Sequence, residues 1–175
     1  MDLFSVQGRR VLVTGGSRGI GFAIARGFVQ RGAAVMLCAR DDQLLRVARA
    51  ALAEGAVSQV ATHVCDVRDV ASIQACVEAT ALELGGIDVL INNAGLNIRK
   101  PTLEVAPEDY DTVVDTDLRG AFFMAQAVGA TMVAQGSGSI VNISSVGGVV
   151  ALRTGAAYAA AKAGVLHLTR SLAVE

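Results

Sequence analysis

"RRVLVTGGSRGIGFAIARGFVQRGAAVMLCAR", residues 9–40, changes its period twice. Val11, Leu12 and Val13 are a short apolar run, which predicts a strand over 10–14. From 19 to 32 the period becomes helical, with Ile20, Ile24, Gly27 and Phe28 on one stripe and Gly32 as the stop. "AAVMLCA", 33–39, returns to a strand. Two strands joined through a helix run parallel, because only a long crossover brings the chain back in the same direction.

Outward from this unit the alternation continues. Helices are expected at 41–55, 70–86 and 107–136, and a last one over 156–175. Strands are expected at 58–66, 87–95 and 138–145. The fold class that follows is α/β: a Rossmann-like, doubly wound parallel sheet in three α/β/α layers. No linker or repeat divides the chain, so residues 1–175 read as one domain.

Composition agrees. Apolar residues make up 53% of the chain but aromatic ones only 4%, so Ala, Val and Leu must fill the interior, as in a sheet covered on both faces. The net charge is −1 with both signs interspersed, which speaks against a nucleic-acid stripe or a membrane-binding patch. Cys38, Cys65 and Cys76 are odd in number and lack CxxC spacing. They read as small buried thiols of a reducing compartment, with neither a metal site nor a disulfide framework expected. His63 and His167 have no evident co-ligands. The N-terminus lacks a secretory pattern and no apolar run is long enough to span a bilayer, so a soluble, cytoplasmic protein is expected.

The first strand-to-helix turn, "TGGSRGIG" at 14–21, places Gly15, Gly19 and Gly21 at the start of a helix. Glycine lets backbone N–H groups approach a pyrophosphate at the positive helix end. The spacing is G-x-x-x-G-x-G, neither the G-x-G-x-x-G fingerprint nor a P-loop. The second strand ends in Arg40 with no acid at its tip, and Arg18 lies inside the turn. An acid there suits the 2′-hydroxyl of NAD, whereas arginines suit a 2′-phosphate. NADP(H) is therefore favoured, with NAD(H) as the alternative. Asp41 and Asp42 could pair with Arg40 or turn outward.

"TGGSRGIG", "NNAG" at 92–95, "ISS" at 143–145 and "YAAAK" at 158–162, in this order, resemble the short-chain dehydrogenase/reductase family along the whole chain. The glycine turn and "CAR" are similar to those of NADPH-dependent ketone reductases. The resemblance implies an oxidoreductase moving hydride between nicotinamide and a carbonyl or secondary alcohol. Tyr158 becomes the general acid/base, Lys162 the cation beside it and a ribose ligand, and Ser145 the group that holds the substrate oxygen. The chemistry is sound: a free phenol, with pKa about 10, holds its proton too tightly at neutrality, and a nearby ammonium favours the phenolate. Ser144 is the neighbour most easily confused with Ser145, and strand alternation allows only one to serve.

The same resemblance puts Ser17, Arg18, Ile20 and the three glycines on the cofactor, with Asn93, Ala94 and Gly95 near its ribose and ring. Asp66 and Val67 are expected at the adenine; the alternative for Asp66 is a cap for the next helix, a job for which Asp69 is as well placed. The family's catalytic Asn falls on Asp117, in "DLRGAFF". Asp117 shares a stripe with Val113, Leu118 and Ala121 and is expected to point inward, as a possible relay beside Lys162. Its negative charge would weaken the lysine's pull on Tyr158.

Family members continue past the last helix into two more strands and a substrate lid, so the chain reads as a truncated piece of a reductase. Two functions follow: the oxidoreductase, acting on a small molecule, or an incompetent fragment that only binds nucleotide or assembles. Homo-oligomers, dimeric or tetrameric, are implied by analogy through the helices expected over 107–136 and 156–175.

Overall fold

The computed structural model of the protein describes residues 4–175. Five strands form one parallel sheet: β1 (Arg10–Thr14), β2 (Ala34–Ala39), β3 (Val60–Val64), β4 (Val89–Asn92) and β5 (Ser139–Asn142). Their order is β3-β2-β1-β4-β5. The chain therefore winds outward from β1 to β3, then returns to the other side of β1 with β4. That reversal opens a crevice at the carboxyl ends of β1 and β4, where ligands of such sheets bind.

Six helices cover the two faces: α1 (Gly19–Val29), α2 (Asp42–Ala53), α3 (Val70–Leu84), α4 (Pro107–Val114), α5 (Gly120–Gln135) and α6 (Ala156–Leu172). Alternation along β1 splits the core. Leu12 joins Met36, Ile73, Leu90 and Met124 on one side, while Val11 and Val13 join Ala25, Leu37 and Leu45 on the other. Both sides are dry, which is why the strands are apolar at consecutive positions. Asp41 and Asp69 stop the chain before α2 and α3 by accepting from the N–H groups of Leu44 and Ala71, at 2.9 Å each. At the other end of the sheet, Arg10 grips Asp88 with two nitrogens, at 2.6 and 2.9 Å, tying β1 to the start of β4.

Three expectations change. The apolar stripe of α1 is Gly21, Ala25 and Val29, with Phe22, Ile24 and Phe28 half-buried beside it; Ile20 is exposed at the helix start. The segment 107–136 is not one regular helix, because Asp115–Arg119 is a π turn between α4 and α5. The hydrophobic pattern runs through it unbroken, so periodicity alone could not reveal it. β5 ends at Asn142, which leaves Ser144 and Ser145 in the loop beyond the strand.

Candidate active site

A cleft of about 960 Å³ opens over the carboxyl ends of β1, β2 and β4. Its walls bring together most residues singled out above: Gly15, Ser17, Arg18, Gly19 and Ile20 from the glycine turn, Arg40 after β2, Asp66 and Val67 after β3, Asn93, Ala94 and Gly95 after β4, and Asp117, Ser144, Tyr158 and Lys162. Gly21 lies behind the turn and Ser145 one residue beyond this lining.

The glycine turn is built for close approach. Gly15 and Gly19 adopt φ of +64° and +60°. A Cβ on Gly21 would sit 2.4 Å from the Gly15 carbonyl oxygen and 2.5 Å from Asn93 Nδ2. The turn is held from the other side of the crevice: Asn93 Nδ2 donates to the carbonyls of Thr14 (2.9 Å) and Gly15 (3.2 Å). Thr14 Oγ1 in turn accepts from the N–H groups of Asn93 and Ala94, at 2.9 Å each. The N-terminus of α1 has no side-chain cap and no acid in its first turn. Its partial positive charge thus faces the cleft uncompensated, a setting that favours an anion.

Arg18 and Arg40 are both exposed at this end. Neither nearby acid bonds Arg40: Asp41 caps α2, and Asp42 pairs with Arg46 of its own helix at 2.7 Å. Asp66 is engaged by a residue the sequence reading missed. Arg68 reaches it with Nη2 at 2.6 Å and Nε at 3.1 Å, and these bonds hold the Asp66 carboxyl below its usual range. Asp69, not Asp66, caps α3.

At the other end of the cleft the charges are buried. The π turn aims Asp117 inward, where Oδ1 accepts from the Leu96 N–H at 2.8 Å. Oδ2 is enclosed and takes no well-aligned hydrogen bond; Lys162 Nζ stands 3.2 Å from it. Asp117 is 0% exposed, and burial pushes its carboxyl upward against the opposing pull of the Leu96 N–H and Lys162. Lys162 also donates to the Ile143 carbonyl at 3.0 Å. An ammonium has three donors, so at least one is left for a ligand. Gly95 makes room for the pair: a Cβ there would lie 2.8 Å from Asp117 Oδ2 and 3.2 Å from Lys162 Nζ.

Tyr158 is half-buried on the same face of α6, with Lys162 Nζ 5.7 Å from its ring centroid. The two serines differ in what they hold. Ser144 Oγ donates to the Lys162 carbonyl at 2.9 Å and pins α6. Ser145 Oγ accepts from the Gly147 N–H at 3.1 Å, which leaves its own proton to give. Asn97, in the wall beside Leu96, was not anticipated; its Oδ1 is enclosed and lacks a hydrogen-bond partner. Its signal is only structural, since nothing in "GLNIRK" marks it. No helix among the described residues is long and apolar enough to cross a membrane.

Comparison with known proteins agrees with this layout. A family model described as short chain dehydrogenase matches residues 9–175. Gluconate 5-dehydrogenase of Gluconobacter oxydans is 41% identical over 99% of this chain and 68% of its own length. A tropinone reductase homolog of Arabidopsis thaliana is 41% identical over 98% of this chain and 65% of its own. The crystal structure of an actinorhodin polyketide ketoreductase variant with NADPH superposes with a TM-score of 0.90 at 40% identity, covering 94% of this chain and 63% of that one. The chain thus spans about two thirds of the length of these relatives.

Proposed function

The chain belongs to the short chain dehydrogenase family, and on that premise we propose that its residues form the nucleotide-binding and proton-transfer half of an NADP(H)-dependent oxidoreductase, organised as one domain over 1–175. The observation that carries this reading is the shared cleft: an anion-receptive glycine turn and exposed arginines at one end, and Tyr158 over a buried lysine at the other.

The residues present fit a dinucleotide. The uncapped start of α1 suits a pyrophosphate, and the tight contacts at Gly15 and Gly21 leave backbone where a side chain would obstruct it. Arg18 and Arg40 suit a 2′-phosphate, since a guanidinium fork bonds a dianion at two oxygens. The free donor of Lys162 suits a ribose hydroxyl. When bound, the nicotinamide supplies or accepts the hydride.

The chain's own residues handle the proton. Ser145 holds the substrate oxygen with the hydrogen that its bond to Gly147 leaves available. Tyr158 gives its phenolic proton to that oxygen as a carbonyl becomes an alcohol, and takes it back in the reverse direction. Lys162 stabilises the phenolate through space, and Asp117 fixes the lysine while partly offsetting its charge. The substrate class is a ketone or secondary alcohol.

Ketone reduction followed by NADPH consumption tests the assignment. Tyr158→Phe is expected to lower kcat by roughly a hundredfold or more while NADPH still binds. Turnover unaffected by that substitution overturns the role of Tyr158. Nucleotide capture by the wild-type chain with no turnover of any ketone or alcohol assigns it a binding role alone.

A further inference from the structure

The three cysteines are scattered in sequence, and neither a metal site nor a disulfide framework was expected of them. The fold brings them to one point. Cys38 comes from β2, Cys65 from the residue after β3 and Cys76 from α3, and their sulfurs all lie within 4.8 Å of one another. They are 0%, 2% and 0% exposed, yet Cys38 and Cys65 also line the floor of the cleft at its arginine end.

A disulfide between Cys38 and Cys65 does not fit this geometry. The β2–β3 register sets Cys38 opposite His63, so Cys65 lies two residues further along the neighbouring strand. Strand spacing and rise then put the two Cα atoms about 8 Å apart, whereas a disulfide needs roughly 7 Å or less. The third thiol would also remain unpaired. A single ion held by all three does fit. With metal–sulfur bonds of about 2.3 Å in a plane, the sulfurs stand about 4 Å apart, a contraction of less than about 1 Å from the present spacing.

Among the described residues no fourth His, Cys, Asp or Glu joins the group. Structural zinc wants a fourth ligand, whereas a thiolate-only set selects soft ions such as copper(I). We propose that Cys38, Cys65 and Cys76 form a three-coordinate thiolate site for a soft, thiophilic cation of the copper(I) class.

As a thiol, Cys65 donates to the Ser72 carbonyl at 3.6 Å, a bond it gives up on binding the ion. Each sulfur that bonds the ion releases its proton to solvent, and the metal enters and leaves as copper(I), so no electrons move. The inference stands apart from the oxidoreductase reading and uses none of its residues.

The test is an anaerobic titration of the reduced protein with copper(I) in competition with a chelator of known affinity. One equivalent is expected to leave the chelator. Cys38→Ser, Cys65→Ser and Cys76→Ser should each weaken capture by at least about tenfold. No capture by the wild type, or one folded variant with unchanged affinity, overturns the three-sulfur site. Copper-edge X-ray absorption on the wild-type protein needs no substitution that could disturb the core. A shell of three sulfurs is expected there, and a shell of two sulfurs, or one containing nitrogen or oxygen, overturns the proposal.

Discussion

Asp117 Oδ2 stands 3.2 Å from Lys162 Nζ at the base of the cleft, with both side chains shut away from water. The pair sits where the π turn of 115–119 meets α6, one helical turn from Tyr158. Lys162 therefore faces a phenol on one side and a carboxylate on the other.

Asp117→Asn keeps the shape and removes the negative charge. Lys162 then acts on Tyr158 without an opposing carboxylate, and the phenolate is favoured. For alcohol oxidation, kcat of Asp117→Asn at neutral pH is expected to exceed that of the wild type. An unchanged kcat means that Asp117 does not modulate the proton step.

The same residue makes a stability prediction with a definite sign. Burial raises the Asp117 carboxyl in the folded state. Its contribution to stability is therefore complete below the ordinary carboxylate pKa and is lost as pH rises through the raised value. Asn does not titrate. The stability of Asp117→Asn relative to wild type should accordingly be more favourable at pH 7 than at pH 4, measured by urea unfolding at both. The opposite slope would mean that Lys162 outweighs desolvation at this site.

Arg40 decides cofactor choice in this account, because Asp41 and Asp42 are occupied elsewhere. Arg40→Asp is expected to weaken NADPH binding by roughly ten- to a hundredfold, the worth of a charge-assisted bond, and to leave NADH binding near its wild-type level. Equal losses for both nucleotides would show that Arg40 does not meet the 2′-phosphate.

Much of this site was legible before the structure, because its chemistry is local. Gly15 to Gly21, "NNAG" and Tyr158 with Lys162 each depend on near neighbours in sequence, and strand–helix alternation brings the segments to one edge. What escaped depends on long-range convergence. The cysteines at 38, 65 and 76 show no spacing rule because β2, β3 and α3 bring them together. Arg68 could be recognised as the partner of Asp66 only once the turn after β3 was in view. The π turn keeps the apolar pattern of an α-helix, so Asp117 was expected inside but its bond to Leu96 was not. Ser144 and Ser145 were to be separated by strand alternation; both lie past the end of β5 and are distinguished instead by their hydrogen bonds.

Two glycines offer a paired test of the turn. Gly21→Ala drives a methyl into the Gly15 carbonyl and Asn93, so it should destabilise the protein by about 1–3 kcal/mol and weaken NADPH binding. Gly27→Ala meets nothing closer than Arg31 Nη1 at 3.7 Å, and should instead stabilise α1 by about 0.5–1 kcal/mol. Thermal unfolding of both variants checks the contrast.

The anchor far from the site serves as a control. Asp88→Asn breaks the fork with Arg10, and the loss should be about 1–3 kcal/mol at neutral pH. The Arg10 hydrogen bond holds the Asp88 carboxyl below its usual range, so this stabilisation is present above the ordinary carboxylate pKa and fades as pH falls through the lowered one. The difference from wild type should therefore narrow in strong acid, while NADPH affinity stays the same.

The most direct test of the cleft as a nucleotide site is a fluorescence titration of the purified protein with NADPH. Saturable enhancement of nicotinamide emission is expected at one equivalent per chain, with NADH binding more weakly and Gly21→Ala requiring more NADPH for saturation. A linear, unsaturated response from the folded wild-type protein would contradict it.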